Sequence, residues 1–299
     1  MKTRPLATYA ALAALVLIWG TTWAAIRVSL LGFPPLKGVV VRFAIASVLL
    51  LSLAPALKVR LGREPRERRL WLLNGALTFT VSYGLVYWAE QWVPSGLAAV
   101  LFATFPLFVA ILAHLVLPGE TLRAGSLAGV LLGFAGVAVL FSEDFRNLGG
   151  PQVAFASAVL LIAPFASAIA NVAVKKWGGG IHPLSISAMP MAVGSLLTVP
   201  FAWSSGEPAI EWRTGPVLAL LYLVVMGSAV AFTLYYWLLR RLPATSLSLI
   251  NYATPVVAVL VGTLFLDEPF TLRILLGAAL VVIGVAIAVR QASAAPRRA

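Results

Sequence analysis

The sequence predicts an all-α polytopic membrane protein, and three observations carry the prediction. Of its 299 residues 61% are hydrophobic and only 11% charged, with a mean hydropathy of +0.97. A soluble domain carries about 25% charged residues, so most of this surface faces lipid. The apolar residues fall into runs near the roughly 20 that a helix needs to cross a bilayer. Ten such runs are read, at 6–28, 34–57, 69–91, 94–116, 124–142, 151–174, 183–203, 214–239, 243–265 and 272–290. Finally, an internal repeat divides the ten into two sets of five.

The net charge of +12 marks nucleic-acid binding only on a soluble face, and here the distribution of charge argues otherwise. With ten spans and a cytoplasmic N-terminus, 16 of the 22 Lys and Arg fall in inner loops or tails, including Lys2, Arg4, Arg60, Arg63, Lys175, Lys176, Arg240 and Arg241. Glu143, Asp144, Glu207, Glu211, Asp267 and Glu268 all fall in outer loops. That bias is the positive-inside pattern and places both termini in the cytoplasm. The run from Leu6 is long for a signal peptide and is read as a retained first helix.

Span 1 clusters Trp19, Gly20, Thr21 and Trp23 midway and carries Arg27 at its outer end. Gly20 permits close backbone approach, so the cluster reads either as packing or as a binding surface. Span 2 opens on Pro34-Pro35 and places Arg42 about two turns in. A guanidinium there either meets an anionic group in a cavity or bonds carbonyls of a neighbouring helix. The segment 58–69 reads as a solvated, Arg-rich inner loop facing anionic lipid headgroups. Span 3 sets Thr78, Ser82 and Tyr83 on one face with Tyr87 and Glu90 close by, a stripe that lipid would not tolerate.

Span 4 starts at Pro94 and should kink at Pro106; span 5 has a small face of Gly129, Gly133 and Gly136 suited to tight helix packing or a dimer contact. Spans 6 and 7 carry Pro164, Ser167, Asn171, Pro190 and Ser195. Span 8 holds Tyr235, Tyr236 and Trp237; span 9, with Ser248, Asn251, Tyr252 and Thr254 before Pro255, is the most polar of the second half.

The repeat lies in spacing at an offset of 148 to 150. Pro35-Leu36 and Ser47 return as Pro183-Leu184 and Ser195, while Tyr87-Trp88, Pro94 and Pro106 return as Tyr236-Trp237, Pro243 and Pro255. Residues 121–123 return as 271–273, and Gly129 and Gly136 as Gly277 and Gly284. Residues 1–146 and 147–299 are therefore read as two five-helix repeats of one membrane domain. An odd number of spans forces the second repeat to enter from the opposite side, giving the inverted architecture of alternating-access carriers.

The ten-run layout, WGTTWAAIRV in span 1, Arg42-Phe43, AEQWVPSGLAAVLFATFP across spans 3 and 4, and the Glu120 and Asp267-Glu268-Pro269 loops resemble EamA-type members of the drug/metabolite transporter superfamily. The resemblance covers essentially the whole chain. It implies a bacterial inner-membrane exporter of amino acids or related metabolites, similar to YddG-type amino-acid exporters, with a central cavity between halves.

Spans 1, 3, 4, 6, 8 and 9 hold the polar, aromatic and proline residues expected around such a cavity. Trp19, Gly20, Tyr83, Tyr87, Phe105 and Tyr252 are its expected apolar and aromatic surface, and Thr78, Ser82, Asn171, Ser248 and Asn251 its hydrogen-bonding groups. Arg42, Glu90, Pro106 and Pro255 are candidate gating residues. Glu90 is the one carboxylate placed within a span and sits near the outer boundary, where hydration favours gradient-following transport over proton coupling. Proton-coupled efflux and sugar-nucleotide-type exchange remain alternatives. With no cysteine and two histidines, His114 and His182, no catalytic centre, metal site or cofactor is expected. The expected partners are a small-molecule substrate and membrane lipid, with a monomer or homodimer as the assembly.

Overall fold

A computed structural model describes residues 5–59, 61–62, 64–93, 95–120, 124–140, 151–265 and 272–293. Outside these residues lie Lys2, Arg4, Arg60, Arg63, Pro94, residues 121–123, Glu143, Asp144, Arg146, Asp267, Glu268, Pro269, Thr271, Arg297 and Arg298.

Among the described residues all regular structure is helical. The first half contains α1 (Pro5–Ser29), α2 (Pro35–Leu53), α3 (Pro65–Asn74), α4 (Tyr83–Ala89), α5 (Ser95–Phe102), α6 (Phe105–Val116) and α7 (Ala124–Leu140). The second contains α8 (Pro151–Leu160), α9 (Ile162–Trp177), α10 (Pro183–Ser204), α11 (Thr214–Tyr222), α12 (Ala231–Leu239), α13 (Ala244–Ser248), α14 (Ile250–Phe265) and α15 (Leu272–Ser293). A π-helical stretch, Gly75–Ser82, joins α3 to α4, and another, Leu223–Val230, joins α11 to α12.

By length and composition six segments suffice to cross a bilayer: Leu6–Ser29, Pro35–Leu53, Pro65–Ala89, Gln152–Trp177, Pro183–Ser204 and Thr214–Leu239. Their outer surfaces are apolar, with Leu6, Val48, Leu196 and Leu218 each more than 60% exposed, which only lipid accommodates at this density.

Prolines explain where the other runs are interrupted. Proline has no N–H for the carbonyl four residues earlier. Pro106 was expected to kink its helix from within; instead the chain breaks at Ala103-Thr104 and Pro106 sits in the first turn of α6. Pro164 likewise follows a break at Leu161. Pro190, Pro200 and Pro255 stay inside helices, and for Pro190 and Pro255 a side chain supplies the missing donor. Thr254 Oγ1 donates to Asn251 O at 3.2 Å ahead of Pro255, and Asn74 Nδ2 to Ile186 O at 3.4 Å below Pro190.

Two loop carboxylates hold helix starts. Glu207 accepts from Leu36 N at 2.8 Å and Lys37 N at 3.0 Å, and Glu120 from Ala244 N at 2.8 Å and Thr245 N at 3.1 Å. Each places negative charge on the positive end of a helix whose first amides lack partners. The Arg-rich segment read as a loop over 58–69 ends sooner than expected: α3 begins at Pro65, and Glu67 is buried and accepts from Ser185 Oγ at 2.5 Å rather than lying in solvent.

Contacts between the two halves are reciprocal at one offset. Ser47 Oγ donates to Ala188 O at 2.9 Å, and Ser195 Oγ to Val40 O at 3.0 Å; partners 47 and 195, and 40 and 188, each differ by 148. A Cβ on Gly136 would stand 2.8 Å from Gly277 O and 2.7 Å from Val281 N, while one on Gly284 would stand 2.7 Å from Gly129 O and 2.6 Å from Gly133 N. The glycine face of α7 is thus consumed against α15 of the same chain. The two π-helical stretches obey the same offset.

Candidate functional site

A cavity lies between the halves and, with its open mouth included, holds about 760 Å³ not filled by protein. α1 contributes Trp19, Thr22, Trp23 and Ile26, and the rod around the first π-helical stretch contributes Thr78, Ser82, Tyr83 and Val86. Phe102 and Phe105 flank the break before α6; Ser167 and Asn171 come from α9, Phe232, Tyr235 and Tyr236 from α12, and Asn251 and Thr254 from α14. Eight of these are aromatic and none is Asp, Glu, Lys, Arg or His.

The aromatic walls are mutually supported. Trp19 packs 5.5 Å from Phe232 and 5.2 Å from Tyr235 between ring centroids, Tyr83 lies 6.0 Å from Phe232, and Phe102 stacks on Phe105 at 5.9 Å. Asn171 Nδ2 donates to Tyr235 O–H, which fixes the amide. Three buried polar atoms of the lining have no partner within the described protein: Trp19 Nε1, Ser82 Oγ and Asn171 Oδ1. One is a donor, one an acceptor and one either, so the cavity presents both kinds of hydrogen-bonding group to a ligand. A buried polar atom left unmatched costs about 1–3 kcal/mol, which a complementary ligand recovers.

Of the residues singled out by sequence, Trp19, Thr78, Ser82, Tyr83, Phe105, Asn171 and Asn251 line this cavity. Gly20 does not: a Cβ there would meet Val257 Cβ at 2.5 Å and Thr254 O at 3.0 Å, so it serves the α1–α14 crossing. Tyr252 is fully buried against Gly133, and Ser248 bonds Thr245 O within its own turn. Pro106 and Pro255 are buried in α6 and α14.

Tyr87 turns away toward Arg42. That guanidinium is fully buried and donates through Nε to Ser228 Oγ at 2.8 Å, through Nη1 to Tyr87 O–H at 3.1 Å and through Nη2 to Gly227 O at 3.3 Å. It also stands 5.0 Å from the Tyr83 ring centroid, so it backs the cavity wall without reaching the cavity. Gly227 lies in the second π-helical stretch, whose widened turns disturb the usual carbonyl pairing, and Arg42 supplies a donor there.

Glu90 departs from expectation: it is fully buried rather than hydrated, and neither carboxylate oxygen has a hydrogen-bond partner among the described residues. Arg27 Nη1 covers its backbone carbonyl at 2.6 Å. Sequence reasoning assigned no cavity role to Phe232 or Phe102, single apolar residues among many. Tyr236 was visible as part of the repeat, in Tyr236-Trp237, whereas Tyr235 was noted only among the residues of its span.

A multi-pass helical membrane protein with an uncharged, aromatic central cavity belongs to the class of small-molecule carriers. The chain is a member of the EamA-like transporter family, which it matches over residues 6–142 and again over 154–290. The uncharacterized inner membrane transporter YedA of Escherichia coli K12 is 34% identical over 260 residues, 85% of this chain and 81% of that one. The uncharacterized transporter YoaV of Bacillus subtilis is 27% identical over 270 residues, 90% and 92% of the two chains. One solved crystal structure superposes with a TM-score of 0.83 at 21% identity, covering 97% of this chain and 99% of that one, a likeness of fold.

Proposed function

We propose that this protein exports net-neutral small metabolites, foremost aromatic and apolar amino acids, across the bacterial inner membrane by alternating access through the central cavity. The observation that carries this reading is a cavity with eight aromatic residues, no charged side chain, and the unmatched groups of Trp19, Ser82 and Asn171. Aromatic walls favour an apolar body. A zwitterionic head suits the polar groups: its carboxylate accepts from Trp19 Nε1–H and Ser82 O–H, and its ammonium donates to Asn171 Oδ1.

The architecture proposed is ten spans in two inverted five-helix repeats, 1–146 and 147–299, with both termini cytoplasmic. The two successive family matches, the reciprocal contacts at an offset of 148, and the inner-loop bias of Lys and Arg support it. Counterflow of labelled amino acids in proteoliposomes tests the function. Saturable exchange of phenylalanine or leucine, with little exchange of lysine or glutamate, is expected; equal exchange of charged and neutral amino acids would refute the substrate class.

One observation favours a second reading, proton coupling. Glu90 is buried with neither carboxylate oxygen hydrogen-bonded among the described residues, and a buried unpaired charge is costly, so it is placed to take up a proton in one state of a cycle. A pH gradient that drives uphill accumulation, lost in Glu90→Gln, decides for coupling; gradient-following transport unchanged in Glu90→Gln decides for a uniporter.

A further inference from the structure

A second cavity, of about 630 Å³ with its open mouth included, lies at the end of the molecule where α9 gives way to α10, lined by Lys175, Gly178, Gly179, Gly180, Tyr236 and Arg240 among others. Tyr236 lines this cavity and the central one alike, so the two are separated by its side chain. The Tyr236 hydroxyl is locked to the other half of the chain: it accepts from Asn74 Nδ2 at 2.8 Å and donates toward Asn74 Oδ1 at 3.2 Å. Asn74 and Tyr236 are only 1% and 4% exposed, so the pair is a closed partition rather than a wet contact. Both members stand beside the π-helical stretches, Asn74 immediately before the first and Tyr236 in the helix that follows the second.

The second cavity differs in charge from the central one. Its lining holds Lys175 and Arg240 and no carboxylate, and Arg66 bonds Gly179 O at its rim at 3.1 Å. The nearby Glu120 is committed to the start of α13, and Glu64 pairs with Arg66 at 3.1 Å. Lys175 Nζ is itself held by Leu239 O at 2.8 Å and Leu242 O at 2.6 Å, which fixes a positive charge at the cavity wall.

We propose that this cavity is the antechamber of the central site, closed here by the Tyr236–Asn74 pair, and that its Lys175 and Arg240 receive the carboxylate end of a substrate before the partition opens. The proposal rests on the alternating-access export of amino acids proposed above, but its labelling test uses no substrate.

The chain contains no cysteine, so single cysteines report cleanly. Ser167→Cys reports on the central cavity, and Gly179→Cys, where an added Cβ meets nothing within 4 Å, marks the antechamber and its side of the membrane. Membrane-impermeant methanethiosulfonates are applied to each side of reconstituted vesicles. Asn74→Ala should speed modification of Ser167→Cys from the Gly179 side by about tenfold, as expected when a closed state loses roughly one hydrogen bond. Tyr236→Phe, which keeps the ring, should act in the same direction, and access from the opposite side should not change. At Gly179→Cys a sulfonate reagent should react about tenfold faster than a trimethylammonium one, and Arg240→Gln should narrow the ratio.

If both partition variants leave Ser167→Cys modification unchanged from that side, the cavity is a dead end and the proposal falls while transport stands. If the ammonium reagent reacts as fast as the sulfonate, the carboxylate-receiving role falls. Altered labelling with no amino-acid counterflow would sink the proposed substrate class instead.

Discussion

Gly284→Ala should loosen the crossing of α7 and α15, and the size of the effect follows from geometry. The new Cβ would sit 2.6 Å from Gly133 N, 2.7 Å from Gly129 O and 2.9 Å from Gly133 Cα, all backbone atoms that cannot rotate aside. Ordinary carbon contacts need roughly 3.4 Å or more, so the helices must part by about 0.7 Å along the crossing. Forcing an extra methyl into such a contact costs about 1–3 kcal/mol. The reciprocal site predicts more. Gly136→Ala presses equally on Gly277 O and Val281 N, so its cost should match that of Gly284→Ala. A single separation relieves both clashes, so the double variant should cost clearly less than the sum. Thermal unfolding in detergent, with Gly179→Ala as the neutral control in open space, measures all four. A neutral Gly284→Ala, or full additivity in the pair, would refute the reciprocal crossing.

Asn171→Ala should raise the half-saturation concentration for a neutral amino acid about tenfold or more through loss of an acceptor for the ammonium, while an analogue without the amine is much less affected. Counterflow with both compounds reads the difference. Glu120→Ala removes the acceptor for Ala244 N and Thr245 N and should cost about 1–2 kcal/mol, seen as a lowered melting temperature, with Glu120→Asp restoring part of it. His182 Nδ1 accepts from Leu184 N at 3.2 Å at the start of α10. Partial burial, then the neighbouring Arg240, hold its pKa below the ordinary 6.5. The folded state therefore binds fewer protons than the unfolded one; the stability is present above pH ~6.5 and is lost as pH falls through the depressed folded value. Melting temperatures at pH 7.5 and 5.5 should differ slightly in the native protein, and His182→Ser, which caps without titrating, should abolish that part of the difference.

Much of the fold was legible because lipid imposes a coarse grammar: apolar runs, basic loops and prolines at helix starts. Ser47 and Ser195, matched by spacing alone, proved to be the donors that bind the halves together. The site was legible only in part. Asn251 and Tyr252 were both assigned to the cavity, yet neighbours on a helix point about 100° apart, and only Asn251 faces in while Tyr252 packs on Gly133. Tyr87 was placed with Tyr83 by counting 3.6 residues per turn. It was also placed with Thr78, and the π-helical stretch, which ends at Ser82, widens the turns between Thr78 and Tyr87; Tyr87 faces Arg42 instead. Nothing among these apolar residues announces such a widening. The burial of Glu67 and Glu90 was equally hidden, because it depends on how far α3 extends and on which side chains cover a loop.

Arg42 has no twin. At the constant offset its counterpart is position 190, a proline, so the lattice of paired contacts is broken where the buried guanidinium sits. Two separate copies of one half, assembled as a dimer, would have to bury either two like charges beside one cavity or none. Fusion of both halves into one chain removes that restriction and lets a single cation stand behind one wall. The two walls of the chamber are therefore not equivalent, and the zwitterionic substrate proposed above would meet a cation behind one of them and not the other.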